Sequence, residues 1–111
     1  MRIDLNADVG ESLGAYAIGD DAALMRSVTS VSIAAGFHAG DPTVLRRTVR
    51  LARDAGVAVG AHPGFPDLAG FGRRNMTIPA PELEDLVLYQ IAAVAGVAAS
   101  EGVALHHVKA H

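Results

Sequence analysis

The sequence predicts an α/β fold built on a parallel sheet, and two observations predict it. Short apolar segments alternate with amphipathic stretches of helical period, in the order βαβαβαβ. Each apolar segment also ends in a small cluster of histidine, carboxylate, amide or lysine side chains, and parallel α/β folds bind ligands at the carboxyl ends of their strands. The 111 residues suit a single domain. Half of them are hydrophobic and 19% are charged, which is enough apolar material for a packed core.

Residues 2–7 alternate apolar and polar, as a short strand does. A glycine-containing stretch follows from Asp8 to Gly19. Asp20 suits an N-cap, with Leu24, Met25 and Val28 on one face of a short helix. Residues 31–35 form the second predicted strand, and Gly36 to Gly40 a turn. Asp41-Pro42 has the form of an N-cap followed by proline at the first helical position. That helix runs to about Ala55, with Leu45, Val49 and Ala52 facing inward and Gly56 closing it. Residues 57–61 form the third strand. The loop from His62 to Pro79 is long and rich in glycine and proline, as functional loops often are. Pro81 opens the last helix, whose stripe is Leu83, Leu86, Val87, Ile91 and Val94, and Gly102 ends it. Residues 103–109 form the fourth strand.

Composition removes several function classes. The net charge is −3 and no long basic run occurs, so nothing suggests a nucleic-acid partner. No cysteine is present, which excludes disulfides, thiolate metal sites and a thiol nucleophile. No unbroken apolar run reaches the roughly 18 residues of a membrane span, and the start does not read as a signal peptide. No membrane partner and a cytoplasmic location are the default expectations. Neither a P-loop nor a G-x-S-x-G elbow occurs. What remains is acid–base work by histidine and carboxylate, with or without a metal.

The candidates sit at the strand ends. Asp8 and Glu11 follow the first, where a glycine-bounded turn would also explain them. His38 and Asp41 follow the second, and Asp41 is an N-cap first. His62 follows the third. Lys109 and His111 follow the fourth and share a strand face. His106 and His107 read as structural. Lys109 is the sole lysine beside eight arginines, so a generic surface role explains it poorly. Arg73-Arg74 could clamp a carboxylate or phosphate, or simply be solvated loop residues. Asp8, His38, His62 and Lys109 are expected to line one edge of four adjacent parallel strands.

Several stretches carry a family resemblance. They are residues 4–11 (DLNADVGE), 19–21 (GDD), 33–42 (IAAGFHAGDP), 60–67 (GAHPGFPD) and 70–74 (GFGRR). In this order they resemble the motifs of the LamB/YcsF family, the A subunits of the bacterial ATP-dependent 5-oxoprolinase. The chain departs from the family pattern in having Ala35 in place of a frequent cysteine and Ala110 in place of a proline. The resemblance implies the first four strands of a distorted seven-stranded (β/α) barrel of the glycoside hydrolase and deacetylase type. It implies cleavage of 5-oxoproline to glutamate with ATP hydrolysis, magnesium accompanying the nucleotide, and partner subunits B and C. Arg73 and Arg74 would then serve the nucleotide.

The deacetylase relatives add an alternative, a metal-dependent amide or acyl-sugar hydrolase with a divalent metal on Asp8, His38 and His62. A third alternative is a non-catalytic half-barrel. Four strands do not close a barrel of this kind. Residues 1–111 are therefore expected to be an incomplete barrel that forms a homo-oligomer or associates with a missing half.

Overall fold

The computed structural model describes residues 1–111. Four strands, β1 (Asn6–Val9), β2 (Ser30–Ala34), β3 (Ala58–His62) and β4 (Leu105–Val108), form one sheet. They pair in the order β1-β2-β3-β4, and every pairing is parallel. Three helices connect them: α1 (Asp21–Leu24), α2 (Pro42–Ala55) and α3 (Ala80–Ser100).

Strand alternation separates two faces. Val9, Val31, Ile33, Val59 and Ala61 pack toward the helices, against Leu45, Val49 and Ala52 of α2 and Val94 and Ala98 of α3. The opposite face carries Asn6, Asp8, Ser30, Ser32, Gly60 and His62. It is a polar surface, and Ser30, Ser32 and His62 are buried in it.

The strand boundaries differ from those expected. β1 begins at Asn6 rather than Arg2, because the Leu5 carbonyl accepts from the Thr29 and Ser30 amides in an irregular approach. β2 starts at Ser30, and β3 includes His62, which pairs with Ala34. In β4 a bulge intervenes. Leu105 pairs with Val59 and His107 with Gly60, so His106 is an extra residue. The bulge reverses side-chain parity. Leu105 packs against the core, while His107 turns to the polar face and reaches Asn6 and Ser32. Gly60 makes this possible, since a methyl group there would collide with the His107 ring.

The helix caps follow the sequence signals. Asp20 Oδ1 accepts from Ala23 N at 3.0 Å. Asp41 Oδ1 accepts from Val44 N at 2.8 Å, and its Oδ2 from Gly14 N at 2.8 Å. Gly56 closes α2 with φ 69°. In α3 the buried residues are Gln90, Val94 and Ala98. The expected Leu83, Leu86, Val87 and Ile91 are only half-buried. By length and composition α3 is apolar enough to cross a membrane, with a mean hydropathy of 1.4. Here it lies on β3, β4 and α2.

Asp41 therefore has two structural duties and Asp20 one. Replacing Asp41 by alanine is expected to cost about 1–2 kcal/mol, and Asp20→Ala at most about 1 kcal/mol. Chemical denaturation checks both, and equal effects would remove the role of the Gly14 contact.

Candidate active site at the carboxyl edge of the sheet

Each strand delivers one part of a polar cluster. Beyond β1, Glu11 reaches His38, with Glu11 Oε2 to His38 Nε2 at 3.1 Å. His38 is buried in the turn after β2, and a methyl group at Gly64 would collide with its ring. His62 ends β3, with Nε2 3.4 Å from Asp8 Oδ2. Past β4 the backbone continues along β3, with Lys109 N bonded to Ala61 O and His111 N to Pro63 O. Lys109 Nζ then lies 2.6 Å from Asp8 Oδ1. His111 stacks on His38 at a ring separation of 3.9 Å. The nearest ligand atoms of Glu11, His38, His62 and His111 all lie within 4.8 Å of one another.

Proton placement gives this cluster its chemical character. His62 Nδ1 lies 2.6 Å from the Lys109 carbonyl oxygen, so it donates there and leaves Nε2 with a lone pair. His111 Nε2 lies 2.7 Å from the Phe71 carbonyl oxygen. Arg73 Nε, 3.1 Å from the same nitrogen, competes for it, but the carbonyl is closer. His111 Nδ1 faces the His62 Nε2 lone pair at 3.2 Å. The imidazole nitrogens of His38, His62 and His111 and the Glu11 carboxylate thus converge on one small volume, with Asp8 beside His62. Phe71 aims its carbonyl from a left-handed backbone at φ 55°, an uncommon state for a non-glycine residue. Its ring packs edge-on against His38 and His111.

Asp8, Glu11, His38, His62, Lys109 and His111 are thus brought together. Three other candidates are placed differently. Both oxygens of Asp41 are committed to Val44 and Gly14. Arg74 is bonded to Asp67, which is buried and also accepts from Gly70 N. Arg73 stands at the rim, 5.7 Å above the Phe71 ring. The metal set expected from the sequence was Asp8, His38 and His62. The structure gathers Glu11 and His111 with the two histidines, and Asp8 stands beside them with Oδ2 3.4 Å from His62 Nε2 and Oδ1 on Lys109.

Four further residues support the cluster. Gln90 bonds both the amide and the carbonyl of Gly64. Its signal was visible as a lone amide in the apolar stripe of α3. Asn6 contacts Lys109 and His107. It shares strand parity with Asp8, which was the clue available. His107 is revealed only by the bulge. Phe71 acts through its backbone carbonyl, which leaves no mark on side-chain identity.

Burial pushes the His62 imidazole below its ordinary value of 6.5, and the Lys109 carbonyl and Asp8 do not offset it. Burial lowers His107 from the same value, and His106 adds to the effect. Both rings are more readily protonated when unfolded. Their stabilising contribution is therefore full above pH 6.5 and is lost as pH falls through the lower folded values. Asp67 and Asp41 are held below the ordinary 3.8, by Arg74 and by the Gly14 amide respectively, so their contributions are lost only at more acid pH. The melting temperature of metal-free protein should fall as pH drops below about 6.5, and His107→Gln should flatten the slope. A level profile across that window would contradict neutral, buried imidazoles.

Known proteins share both this sequence and this geometry. The LamB/YcsF family profile matches residues 3–111. The 5-oxoprolinase A subunit of Bacillus licheniformis is 59% identical over 99% of this chain and 44% of its own length. That of Bordetella pertussis is 62% identical over 98% of this chain and 43% of its own. The crystal structure of a lactam utilization protein from Thermus thermophilus superimposes with a TM-score of 0.98 at 54% identity, covering all of this chain and 45% of that one. The chain thus spans under half the length of the relatives it matches. With a profile match across nearly every residue, the chain belongs to the LamB/YcsF family.

Proposed function

We propose that residues 1–111 carry the hydrolytic centre of a cyclic-amide hydrolase, as the N-terminal part of a 5-oxoprolinase A subunit. In this reading 5-oxoproline is opened to glutamate. The lactam C–N bond breaks, hydroxide from water adds to the carbonyl carbon, and a proton goes to the nitrogen. ATP hydrolysis accompanies the opening, in a complex with the B and C subunits. The four strands would be the first of a larger, seven-stranded barrel. The relatives' names and the lactam utilization protein support the substrate class.

The observation that carries the reading is the convergence of unprotonated nitrogen and carboxylate beside one ammonium group. His62 Nε2, with its proton fixed on the other nitrogen, is placed to take a proton from water. Lys109 supplies positive charge for the oxygen on which negative charge develops. His38, against Glu11, is the group available to return a proton to nitrogen.

A second reading is favoured by the same converging nitrogens. Glu11, His38, His62 and His111 would hold a divalent cation, and three imidazoles with one carboxylate suit zinc or a similar metal. Backbone carbonyls on the outer nitrogens of His62 and His111 match the support that metal-bound histidines receive. The cation would supply Lewis-acid activation. Of the two arginines offered to ATP, Arg74 is bonded to Asp67 and Arg73 stands at the rim.

The test is glutamate release from 5-oxoproline and ATP by the full-length protein with its partner subunits. His62→Ala and Lys109→Met should each lower turnover about 10²–10³-fold with little change in melting temperature. Arg74→Ala should instead destabilise and spare turnover of the folded fraction. Elemental analysis before and after chelation separates the two readings: a bound divalent metal, lost in His111→Ala, selects the second. Full turnover in His62→Ala would sink both.

A further inference from the structure

We propose that Asn6 is the positioning residue for Lys109, and that His107, seated over Gly60, keeps Asn6 in place. The proposal rests on the role given above to Lys109 and extends it to the polar face beneath the site.

Lysine is a point charge on a flexible four-carbon stem. The Lys109 side chain is 46% exposed, and Asp8 is 37% exposed. An exposed pair of this kind is weakly held, since ordering the stem offsets much of the attraction. Asn6 removes that freedom. Its Oδ1 accepts from Lys109 Nζ at 2.9 Å. Two of the three ammonium donors are then committed, to Asp8 and to Asn6, and one remains for a ligand oxygen.

The orientation of the Asn6 amide follows from its neighbours. Nδ2 donates to Ser30 Oγ at 2.9 Å and lies 3.3 Å from His107 Nε2. Ser32 Oγ lies 3.2 Å from Oδ1 and 3.1 Å from His107 Nε2. Rotating the amide would set an NH2 group against the lysine ammonium and leave Ser30 Oγ without its donor. From Lys109 the donors run in one direction, through Asn6 and Ser30 to the Asp4 carboxylate. A cation and an anion terminate this chain, and each link polarises the next. His107 closes its open side. The bulge in β4 turns the ring inward, and the bare backbone of Gly60 accommodates it.

Steady-state kinetics of the full-length protein with its partner subunits test this. Asn6→Leu and His107→Leu should lower kcat about 10–100-fold, with KM changed by less than about threefold. His107→Gln, which keeps a polar atom near the Nε2 position, should restore kcat to within about threefold of the parent. Asn6→Leu combined with Lys109→Met should be no worse than Lys109→Met alone, because the two act through one group. Losses that multiply in the double variant would overturn the proposal, as would full kcat in Asn6→Leu. If Asn6→Leu does not fold, the contrast between His107→Leu and His107→Gln decides. Equal impairment in those two variants, tracking their melting temperatures, marks a purely structural role and also overturns it. Full turnover in Lys109→Met defeats the parent reading. A defective Lys109→Met beside a fully active Asn6→Leu defeats only the positioning role.

Discussion

The alternation of side chains across one parallel sheet is the constraint on which the rest of the molecule depends. Each strand must serve two masters, a helix layer that accepts only apolar groups and a face that carries the chemistry. Val31 and Ile33 go one way, and Ser30 and Ser32 the other, with no residue between them to absorb an error. A slip of one position would drive Ser32 and His62 into the helices and strand Ile33 and Ala61 on the polar face. The β4 bulge shows how far this constraint reaches. Leu105 and His107 share a parity, yet they are needed on opposite faces, and the extra His106 resolves the conflict.

A polar face carries a cost that the apolar layer does not. Buried hydroxyl, amide and imidazole groups must find partners, and each failure costs roughly 1–3 kcal/mol. Most succeed here. Only His38 Nδ1 and Asp67 Oδ2 are buried side-chain atoms without a hydrogen-bond partner. Asp67 is compensated through its other oxygen, which holds Arg74 and the Gly70 amide. His38 Nδ1 lies against the Gly64 backbone, while its Nε2 meets Glu11 in the cluster. Away from the site, Glu101 receives Arg46, Arg50 and Arg53 and ties the end of α3 to α2. Those arginines are largely solvated, so the tie orients the helices more than it stabilises them.

The fold was legible because its signals are local. Asp41-Pro42 and Gly56 mark the ends of α2 by capping chemistry, and strand positions follow from apolar runs. The strand-end cluster was legible for the same reason, since topology alone carries Asp8, His38, His62 and Lys109 to one edge. What stayed hidden depends on geometry without a residue signature. Glu11 and His111 join the two histidines, while Asp8 bridges His62 and Lys109, a residue from the far end of the chain. The Lys109 carbonyl fixes the His62 tautomer, and a carbonyl is the same in every residue. His107 reaches Asn6 and Ser32 only because of an inserted residue, which alternation along the sequence does not mark. Arg74 looked free until Asp67 was found buried beside it.

Gln90 has a consequence that reaches past the residues it touches. By bonding both the amide and the carbonyl of Gly64, it welds the middle of α3 to the loop that roofs His38. No compliant linker separates helix from imidazole: side chain, peptide and ring are in direct contact. The same helix exposes Leu88, and its Tyr89 ring lies 5.8 Å from Phe37, the neighbour of His38. The wall of the His38 ring is therefore as fixed as the middle of the helix that carries Gln90.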